Sequence, residues 1–314
     1  MTSPSVNVLA LNFNGRDLLE KYLPSLERAV ARSRFRCRLG VVDNHSSDDS
    51  IDLLRRDFPK AAIYPIKENR VLCSYNEVAM AVSDDIVLFM NNDIQVDEGF
   101  IDPLIEPFLS DDGVFFVTPR CLSLKDGSYE GNKTRATVRY GMFRSSAIFP
   151  GHELFKDKPG FTFQGGFGAF NRKKFLELGG YDDLYLPGRL EDADICFRAF
   201  QRGWKCLYEP KSIVYHEGGV SFHKAFGVKK TLVINWRNTF LFMWKNLSDR
   251  LILLRHILWL PARLVGSLVT SKPELFLGFC AAVPLWGEAR TRRRRLKKAG
   301  YLGVVPERTL FDKQ

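Results

Sequence analysis

Short apolar runs alternate with segments of helical periodicity over the first 120 residues. The segments between the runs repeat their apolar residues every three or four positions, as Leu19, Leu23 and Leu26 do. Strands that alternate with helices predict an α/β fold with a mainly parallel, doubly wound sheet, whose ligands bind at the carboxyl ends of the strands. The runs of strand length are residues 6–11, 39–42, 61–66, 86–90 and 114–118.

Four polar patches stand at the ends of predicted strands or at the start of a predicted helix. They are residues 43–48 (Asp-Asn-His-Ser-Ser-Asp), 91–93 (Asn-Asn-Asp), 191–194 (Glu-Asp-Ala-Asp) and His216. In an open α/β sheet such ends border one crevice. A crevice with several carboxylates and one histidine suits metal-assisted chemistry on a diphosphate.

The patches that follow strands also have structural explanations. Asp43 could accept a hydrogen bond from a nucleotide base or ribose, or it could form an Asx turn before the next helix. Asp93 could bind Mg²⁺ or Mn²⁺, or it could start a turn, although a turn requires neither Asn91 nor Asn92. His216 could be a metal ligand or a structural side chain.

Three carboxylates crowd the start of a helix predicted over residues 190–202. Glu191, Asp192 and Asp194 would raise one another's pKa unless a cation or a function justifies the cluster. One of them could act as a general base for a hydroxyl. Alternatively they cap the helix and favour its dipole, and Asp194 could do only that.

The region from 120 to 160 is predicted to be a long loop near the substrate because its periodicity is weak and it is rich in Gly, Ser, Lys and Arg. Farther along, short strands are predicted at 206–208 and 213–215.

The character of the chain changes after about residue 226. Residues 226–314 contain 17 Lys and Arg against 5 Asp and Glu, a net charge of +12, which leaves −2 for residues 1–225. Stretches 232–244, 251–269 and 275–286 are apolar but interrupted, and a run with seven basic residues follows at 290–298. The pattern predicts a catalytic domain over 1–225 and a basic helical region over 226–314 that lies on an anionic membrane surface without crossing it.

The six cysteines form no CxxC pair and have no metal-ligand spacing, which indicates reduced core residues of a cytosolic protein. The start of the chain has no basic segment followed by an apolar one, so no secretory signal is expected. Together with the basic region, these features predict a cytoplasmic protein bound peripherally to the inner face of the cell membrane.

With these motifs the chain resembles a family 2 glycosyltransferase of GT-A fold, similar to bacterial rhamnosyl- and other sugar transferases of cell-surface polysaccharide assembly. The resemblance covers roughly residues 5–220. Its motifs are 11–15 (Leu-Asn-Phe-Asn-Gly), 42–48, 68–70 (Glu-Asn-Arg), 91–93, 165–170 (Gly-Gly-Phe-Gly-Ala-Phe), 179–182 (Gly-Gly-Tyr-Asp), 191–198, 203–204 (Gly-Trp) and His216.

The resemblance implies roles for individual residues. Asp43 would hold the nucleotide base or ribose, Asp93 and His216 would bind a divalent metal, Mg²⁺ or Mn²⁺, and Asp192, paired with Glu191, would deprotonate the acceptor. The residues expected to bind the nucleotide sugar are Asn12, Asn14, Asp43, Asn44, Ser46, Asn69, Arg70, Asn76, Asn92 and Gly166. The chain departs from the family pattern at Asn91, where many members have Asp, and at residues 70–74, which replace a Gly-rich stretch.

The implied reaction is a single displacement with inversion, because there is one carboxylate base and no enzyme nucleophile. The donor would be a UDP- or dTDP-sugar, the acceptor a glycan or a lipid-linked acceptor, and self-association into a homo-oligomer stays open. A sugar-1-phosphate nucleotidyltransferase would be expected to have a Gly-rich loop with Arg and Lys near its start, where residues 12–16 read Asn-Phe-Asn-Gly-Arg. A nucleic-acid-binding protein would explain the Arg run but not the acidic crevice, so no nucleic acid is expected as a partner.

Overall fold

The computed structural model describes residues 3–218 and 226–312, and the chain divides into two compact units. Unit 1 comprises Met1–Thr134, Ala147–Tyr181 and Trp204–Gly218. Unit 2 comprises Arg135–Ser146, Asp182–Gly203 and Gly219–Gln314. This division differs from the predicted one at 225/226, because two stretches of the expected catalytic domain belong to the unit that contains the C-terminal helices.

Unit 1 is built on a mixed sheet whose longer strands are mostly parallel. One half consists of parallel strands in the order β4-β1-β2-β3: β1 (Ser5–Asn12), β2 (Arg36–Asp43), β3 (Ala62–Pro65) and β4 (Ile86–Asn91). The other half contains β5 (Ile94–Val96), β6 (Val114–Ser123), β7 (Tyr129–Gly131), β10 (Gly160–Phe161), β11 (Gly168–Asn171) and β12 (Lys205–His216). Strand β11 joins the halves by pairing antiparallel with both β4 and β6, and β12 runs parallel to β6.

Five helices flank this sheet: α1 (Arg16–Arg32), α2 (Ser50–Asp57), α3 (Ser74–Ala81), α4 (Ile101–Ser110) and α5 (Arg172–Glu177). Helix α1 packs on β2 and β5 and buries Leu19, Leu23 and Leu26 in the main apolar core. Each such side chain contributes about 1.5–3 kcal/mol when it leaves water. The predicted alternation of strands and helices up to residue 118 is therefore confirmed.

An aromatic cluster fills unit 1 behind β4. The ring of Tyr75 stacks on Phe89 with the centroids 3.9 Å apart, and Phe170 and Phe175 lie at 5.2 and 5.3 Å from Phe89. The buried Tyr75 hydroxyl donates to the Met90 carbonyl at 2.7 Å, so its polar end is satisfied. This cluster supports β4 from below the point where the strand ends in Asn91.

Unit 2 combines a hairpin with helices. Its elements are β8 (Arg135–Arg139), β9 (Met142–Ser146), α6 (Glu191–Gln201), α7 (Val228–Asn246), α8 (Arg250–Val269), α9 (Glu274–Ala282), α10 (Trp286–Lys298) and α11 (Glu307–Asp312). Its core brings Phe143 of the hairpin within 4.1 Å of Phe242, and Phe197 of α6 within 5.5 Å of the same ring. Helices predicted at 190–202, 232–244 and 251–269 are confirmed.

Two sequence predictions on secondary structure are wrong. The expected loop from 120 to 160 contains the end of β6, β7, the β8–β9 hairpin and a 3-10 turn at His152–Leu154. The two short strands expected near 206 and 213 are one strand, β12, with an irregularity between Glu209 and Ile213. In both cases polar residues interrupt the apolar alternation while backbone pairing continues.

Helix α8 is, among the described residues, the one helix long and apolar enough to cross a membrane by length and composition. Only 17% of its apolar window is buried. The sequence pattern predicts no clean span here, because the helix carries Arg255, His256 and Arg263 within its length.

Candidate active site

The carboxyl ends of β1 and β2 are joined by hydrogen bonds between side chains. Asn12 at the end of β1 donates to Asp43 Oδ1 at 3.1 Å and to Ser46 Oγ at 3.2 Å. The other oxygen of Asp43 accepts the Ser46 backbone N–H at 3.0 Å. Asp43 is buried and held in one orientation, so it presents a fixed acceptor at the edge of the sheet.

Asn92 extends this network to the end of β4. Its side-chain amide donates to Asn12 Oδ1 at 2.8 Å. A Cβ at Gly15 would collide with the side-chain ends of Asn92 and Asn12, so a larger residue here would displace both amides. We call Asn12, Asp43, Ser46 and Asn92 the strand-end cluster, and all four were predicted from the sequence to bind the nucleotide sugar.

Asn14 and Asn44 shape the loops around the strand-end cluster. Asn14, with φ 47°, accepts the Ser47 N–H at 2.7 Å and donates its own N–H to Ser46 Oγ at 2.9 Å. Asn44 accepts the Arg70 N–H at 3.4 Å and the Ser74 hydroxyl. The side chains predicted here to bind a donor therefore also fix the loops that surround it.

The remaining predicted donor-binding residues lie in the same unit with other contacts. Asn69 accepts the Val71 N–H at 3.0 Å. Asn76 donates to the Tyr181 carbonyl at 2.8 Å and accepts the Tyr181 N–H at 2.9 Å, which leaves one side-chain N–H for the predicted donor contact. Gly166 is buried beside Gly165, whose carbonyl accepts the Tyr181 hydroxyl at 2.5 Å.

Asp93 and His216, which were predicted to bind the metal, are brought together in unit 1. Asp93 Oδ2 lies 3.4 Å from His216 Nε2, and the Glu217 N–H donates to the Asp93 carbonyl at 3.1 Å. Glu217 is itself held by the Tyr22 hydroxyl at 2.6 Å, which anchors the end of β12 to α1. The hydrogen bond with Asp93 and the charge of Glu130 outweigh burial and raise the pKa of His216 to about 9.

Glu130 is a functional candidate that the sequence analysis missed. Its Oε2 lies 2.9 Å from His216 Nδ1. A carboxylate at one imidazole nitrogen orients the ring, and Nε2 would bind a metal with release of its proton. Glu130 belongs to β7, inside the region expected to be a loop, and no motif marks it.

The residues present fit a divalent cation. Asp93 Oδ1 is buried and has no hydrogen-bond partner in the part of the chain that the structure describes. Ligand atoms of Cys121, Glu130 and His216 all lie within 4.8 Å of one another. Burial and the nearby carboxylates raise the pKa of the Cys121 thiol to about 12, so oxygen and imidazole nitrogen are the available ligands.

Glu191 and Asp192, the two carboxylates predicted to supply the catalytic base, lie in the first turn of α6 in unit 2. Glu191 is buried, and its Oε2 has no partner among the residues described, whereas Asp192 is partly exposed. Burial is the main cause that raises the pKa of both carboxyls, and Asp192 adds to the effect on Glu191. The two titrate as a coupled pair.

Asp194 has a structural role, as the sequence analysis allowed. It is fully buried and accepts from Tyr185 Oη at 2.8 Å, Arg198 Nε at 2.7 Å, Lys245 Nζ at 2.7 Å and Asn246 Nδ2 at 2.6 Å. Burial alone would raise its pKa, but Lys245 and Arg198 outweigh burial and hold the pKa well below the usual range. We call these five residues the buried charge cluster.

The loop before α6, Tyr185–Leu190, has a strained backbone, and we call it the base loop. Gly188, Arg189 and Leu190 have φ values of 132°, 78° and 73°. For the two non-glycine residues such a conformation costs of order 1–3 kcal/mol each and persists only where the surroundings enforce it.

Unit 1 has a mostly parallel sheet with a polar carboxyl edge and a half-buried Asp–His pair, as in the GT-A fold. The chain belongs to glycosyl transferase family 2, whose sequence profile matches residues 8–179. The predicted family and fold class are confirmed.

Similar proteins include two curated relatives. The probable N-acetylgalactosaminyltransferase 9 of Caenorhabditis elegans is 28% identical over 142 residues, which cover 42% of this chain and 24% of the relative. The pre-mycofactocin glycosyltransferase of Mycobacterium tuberculosis is 28% identical over 142 residues, 44% of this chain and 28% of the relative. The chain thus spans about a quarter of the length of these relatives.

A solved structure shares the fold. The crystal structure of GalNAc-T7 with UDP, GalNAc and Mn²⁺ matches with a TM-score of 0.60 and 16% identity, over 79% of this chain and 49% of that one. At this identity the likeness concerns the fold alone.

Proposed function

We propose that the protein is an inverting glycosyltransferase that moves a sugar from a UDP- or dTDP-sugar to a hydroxyl of a glycan or lipid-linked acceptor in cell-envelope polysaccharide synthesis. The observation that carries the proposal is the buried, unpartnered oxygen of Asp93 beside His216, in the unit that also holds Asp43. A diphosphate needs a cation, and a nucleoside needs a fixed acceptor. Unit 1 offers residues for both.

In this mechanism Asp43, Asp93 and His216 bind the donor, and Asp192 activates the acceptor hydroxyl. Asp43 accepts from the nucleotide base or ribose. A divalent cation, Mg²⁺ or Mn²⁺, held by Asp93 and His216 would neutralise the charge that develops on the leaving diphosphate. Asp192 takes the proton of the acceptor hydroxyl as its oxygen attacks the anomeric carbon opposite the leaving group, and this single displacement inverts the configuration.

Asp192 is preferred over Glu191 as the base because of its exposure. A general base must reach the proton that it removes, either directly or through one water. Asp192 is partly exposed at the first turn of α6, while Glu191 is buried. In this assignment the charge of Asp192 adds to burial in raising the pKa of Glu191.

The basic run is a weak argument for nucleic acid because internal contacts use part of it. Arg292 pairs with Asp183 at 2.8 Å and also with Asp182 and Glu288, and Arg293 donates to the Trp244 carbonyl at 3.4 Å. Burial lowers the pKa of Arg293, as expected for a half-buried side chain. These arginines tie α10 to its own unit.

Nucleotide-sugar binding and sugar transfer together test the proposal. The protein with Mn²⁺ is screened against UDP- and dTDP-sugars by thermal shift, and any stabilising donor is then assayed for hydrolysis and for transfer to a lipid-linked acceptor. We expect one donor class to stabilise the fold and its hydrolysis to stop in excess chelator. Stabilisation by a nucleoside triphosphate and sugar 1-phosphate instead would favour a nucleotidyltransferase.

The proposal includes a peripheral site on the cytoplasmic membrane face, where a lipid-linked acceptor would be found. One side of α8 contacts the hairpin, through His256 Nδ1 at 2.7 Å from the Gly141 carbonyl and Arg263 Nε at 2.9 Å from the Tyr140 carbonyl. A spanning helix would carry these polar contacts into hydrocarbon. Its other side exposes apolar residues: Leu254, Ile257, Leu258, Val265, Leu268 and Val269.

Vesicle binding tests the membrane part. Ile257 and Leu258, which are 65% and 67% exposed, are both changed to Ser, with Leu109→Ser in α4 as the matched control. We expect wild type and control to sediment with vesicles containing phosphatidylglycerol, and the double variant to bind much less. The exposed Arg294 and Arg295 changed to Gln should weaken binding only to anionic vesicles, at about 1 kcal/mol each.

Two results would contradict the membrane part. Equal binding to neutral and anionic vesicles rejects the electrostatic contribution, and no binding at all rejects the whole of it. Resistance of the bound protein to carbonate extraction would show instead that α8 crosses the bilayer.

A further inference from the structure

One side chain of α7 holds most of the base loop. Asn238 Nδ2 lies within hydrogen-bonding distance of three backbone carbonyls, those of Tyr185 at 2.7 Å, Gly188 at 2.8 Å and Arg189 at 2.8 Å, so its two N–H groups are shared among them. Its Oδ1 accepts from Arg237 Nε at 2.9 Å, which fixes the orientation of the amide. Asn238 is completely buried.

Arg237 also binds the base loop, and we call Asn238 and Arg237 together the clamp. Its Nη2 lies 3.4 Å from the Tyr185 carbonyl and also donates to the Leu186 carbonyl. Four carbonyls of the base loop are therefore bound by two consecutive residues that lie about fifty positions later in the chain. Three consecutive left-handed residues follow from Gly188, and the next residue is Glu191.

We propose that Asn238 is a positioning residue for the catalytic base, because it fixes the strained loop that places Glu191 and Asp192 at the first turn of α6. This inference rests on the proposed function, in which Asp192 removes the acceptor proton. Asn238 itself contacts loop backbone and Arg237, and it acts on the reaction through the loop alone.

The chemistry of the site explains why an asparagine is needed. Three converging carbonyls require a donor, and a buried carbonyl that loses its donor is costly. Aspartate, of the same shape, would place an oxygen against them and repel the loop. Alanine would remove the donor and leave a cavity.

The clamp has an electrostatic consequence that a purely structural contact lacks. Burial raises the pKa of the Glu191–Asp192 pair, Asp194 raises it further, and Arg189 opposes these effects. Asp194 is itself neutralised by Lys245 of α7 and by Arg198. If the base loop relaxes, water reaches the pair and its pKa falls toward the ordinary range.

The test compares Asn238→Ala and Asn238→Asp with Asn235→Ala, which makes the same truncation one turn earlier on α7. The full chain labelled with ¹³C at glutamate carboxyls is titrated by NMR, with Glu191→Gln to assign the signal. We expect an elevated Glu191 pKa in wild type and Asn235→Ala, and a lower one in both Asn238 variants. Where a donor is known, kcat should fall about 10²-fold with little change in the donor KM, and the acid limb of the kcat profile should move to lower pH.

Each outcome decides between the clamp and a simpler role. A Glu191 titration and an acid limb that stay in place in a folded Asn238→Ala protein overturn the inference, whatever its activity. A Glu191 titration that shifts as expected, in a protein whose Asp192→Asn variant keeps full transfer, supports the clamp and rejects Asp192 as the base. If Asn238→Asp does not fold, Asn238→Ala and the titration still decide.

Discussion

The strand-end cluster of unit 1 and the base loop of unit 2 are made in different ways. Asn12, Asp43 and Asn92 stand at strand ends, so the parallel sheet brings them together once its strands pair. The base loop instead takes its shape from Asn238 and Arg237, which belong to a helix far along the chain. The strand-end cluster thus follows from the topology of the sheet, whereas the base loop requires specific long-range contacts.

The largest expected effect comes from Asp93, the proposed metal ligand of unit 1. Asp93→Ala should lower transfer about 10³-fold or more, because the cation offsets several kcal/mol of charge on the leaving group. Excess chelator should have the same effect on wild type, and Asp126→Ala in an exposed turn should leave activity unchanged. Full activity in chelator would refute the assignment.

Asp194→Asn should destabilise unit 2 by about 3 kcal/mol, because Lys245 and Arg198 lose a buried counter-charge while Asp182 still pairs with Lys245 at 2.5 Å. Urea unfolding measures the change, and Asp17→Asn, which is exposed, should shift stability by less than about 0.5 kcal/mol.

Asp194→Asn should also change how the stability of the protein depends on pH in the acid range. The pKa of Asp194 is held below its usual range, so its stabilisation is fully present above the unfolded-state pKa of about 4 and is lost as the pH falls toward the folded-state pKa. Asp194→Asn should therefore lose less stability below pH ~4 than wild type. An equally steep acid loss in the variant would assign the acid sensitivity to other groups.

Asp192→Asn should lower kcat about 10²-fold with nucleotide binding retained, since the shape remains and the base is removed. Because the pKa of the base is raised and the base must be ionised, wild-type kcat should rise with pH through a value above the ordinary Asp range. If Glu191→Gln lowers kcat strongly and Asp192→Asn lowers it only slightly, Glu191 is the base and the two roles are reversed.

Glu130→Ala should weaken Mn²⁺ binding about 10-fold, because His216 loses the carboxylate that orients it. Glu130→Gln should have a smaller effect since its amide oxygen still accepts. Mn²⁺ titration followed by electron paramagnetic resonance measures both, with Glu106→Ala on the exposed face of α4 as control. A loss as complete as that of Asp93→Ala would make Glu130 a direct ligand.

The sequence predicted those parts of the molecule that local pattern determines. Strands β1 to β4 follow from apolar runs, and the polar residues that interrupt these runs mark the strand ends. The proximity of Asp93 and His216 was expected from their motifs. Glu130 was missed because β7 is three residues long and carries one charged side chain, with no apolar run to mark the strand. Asn238 and Lys245 were missed because a polar residue inside an apolar helix has no local signature of its partner.

The cysteines show the same limit on a smaller scale. Four of the six are buried, as a reduced core predicts, but Cys280 on α9 is exposed and Cys37 is intermediate. An isolated residue in an apolar stretch is buried only if its face of the helix or strand packs against another element.

The contacts of α7 also limit how this protein can be re-engineered. Residues 182–203 and the helices after 226 exchange buried hydrogen bonds and charges, so they would have to be inherited together in any chimera. A truncated chain that ends near residue 218, or a fusion that grafts a foreign C-terminal segment to redirect the protein within the cell, would separate Glu191 and Asp192 from the side chains that shape their loop. A chimera that is to stay folded should therefore take residues 182–203 and the helices after residue 226 from the same parent protein.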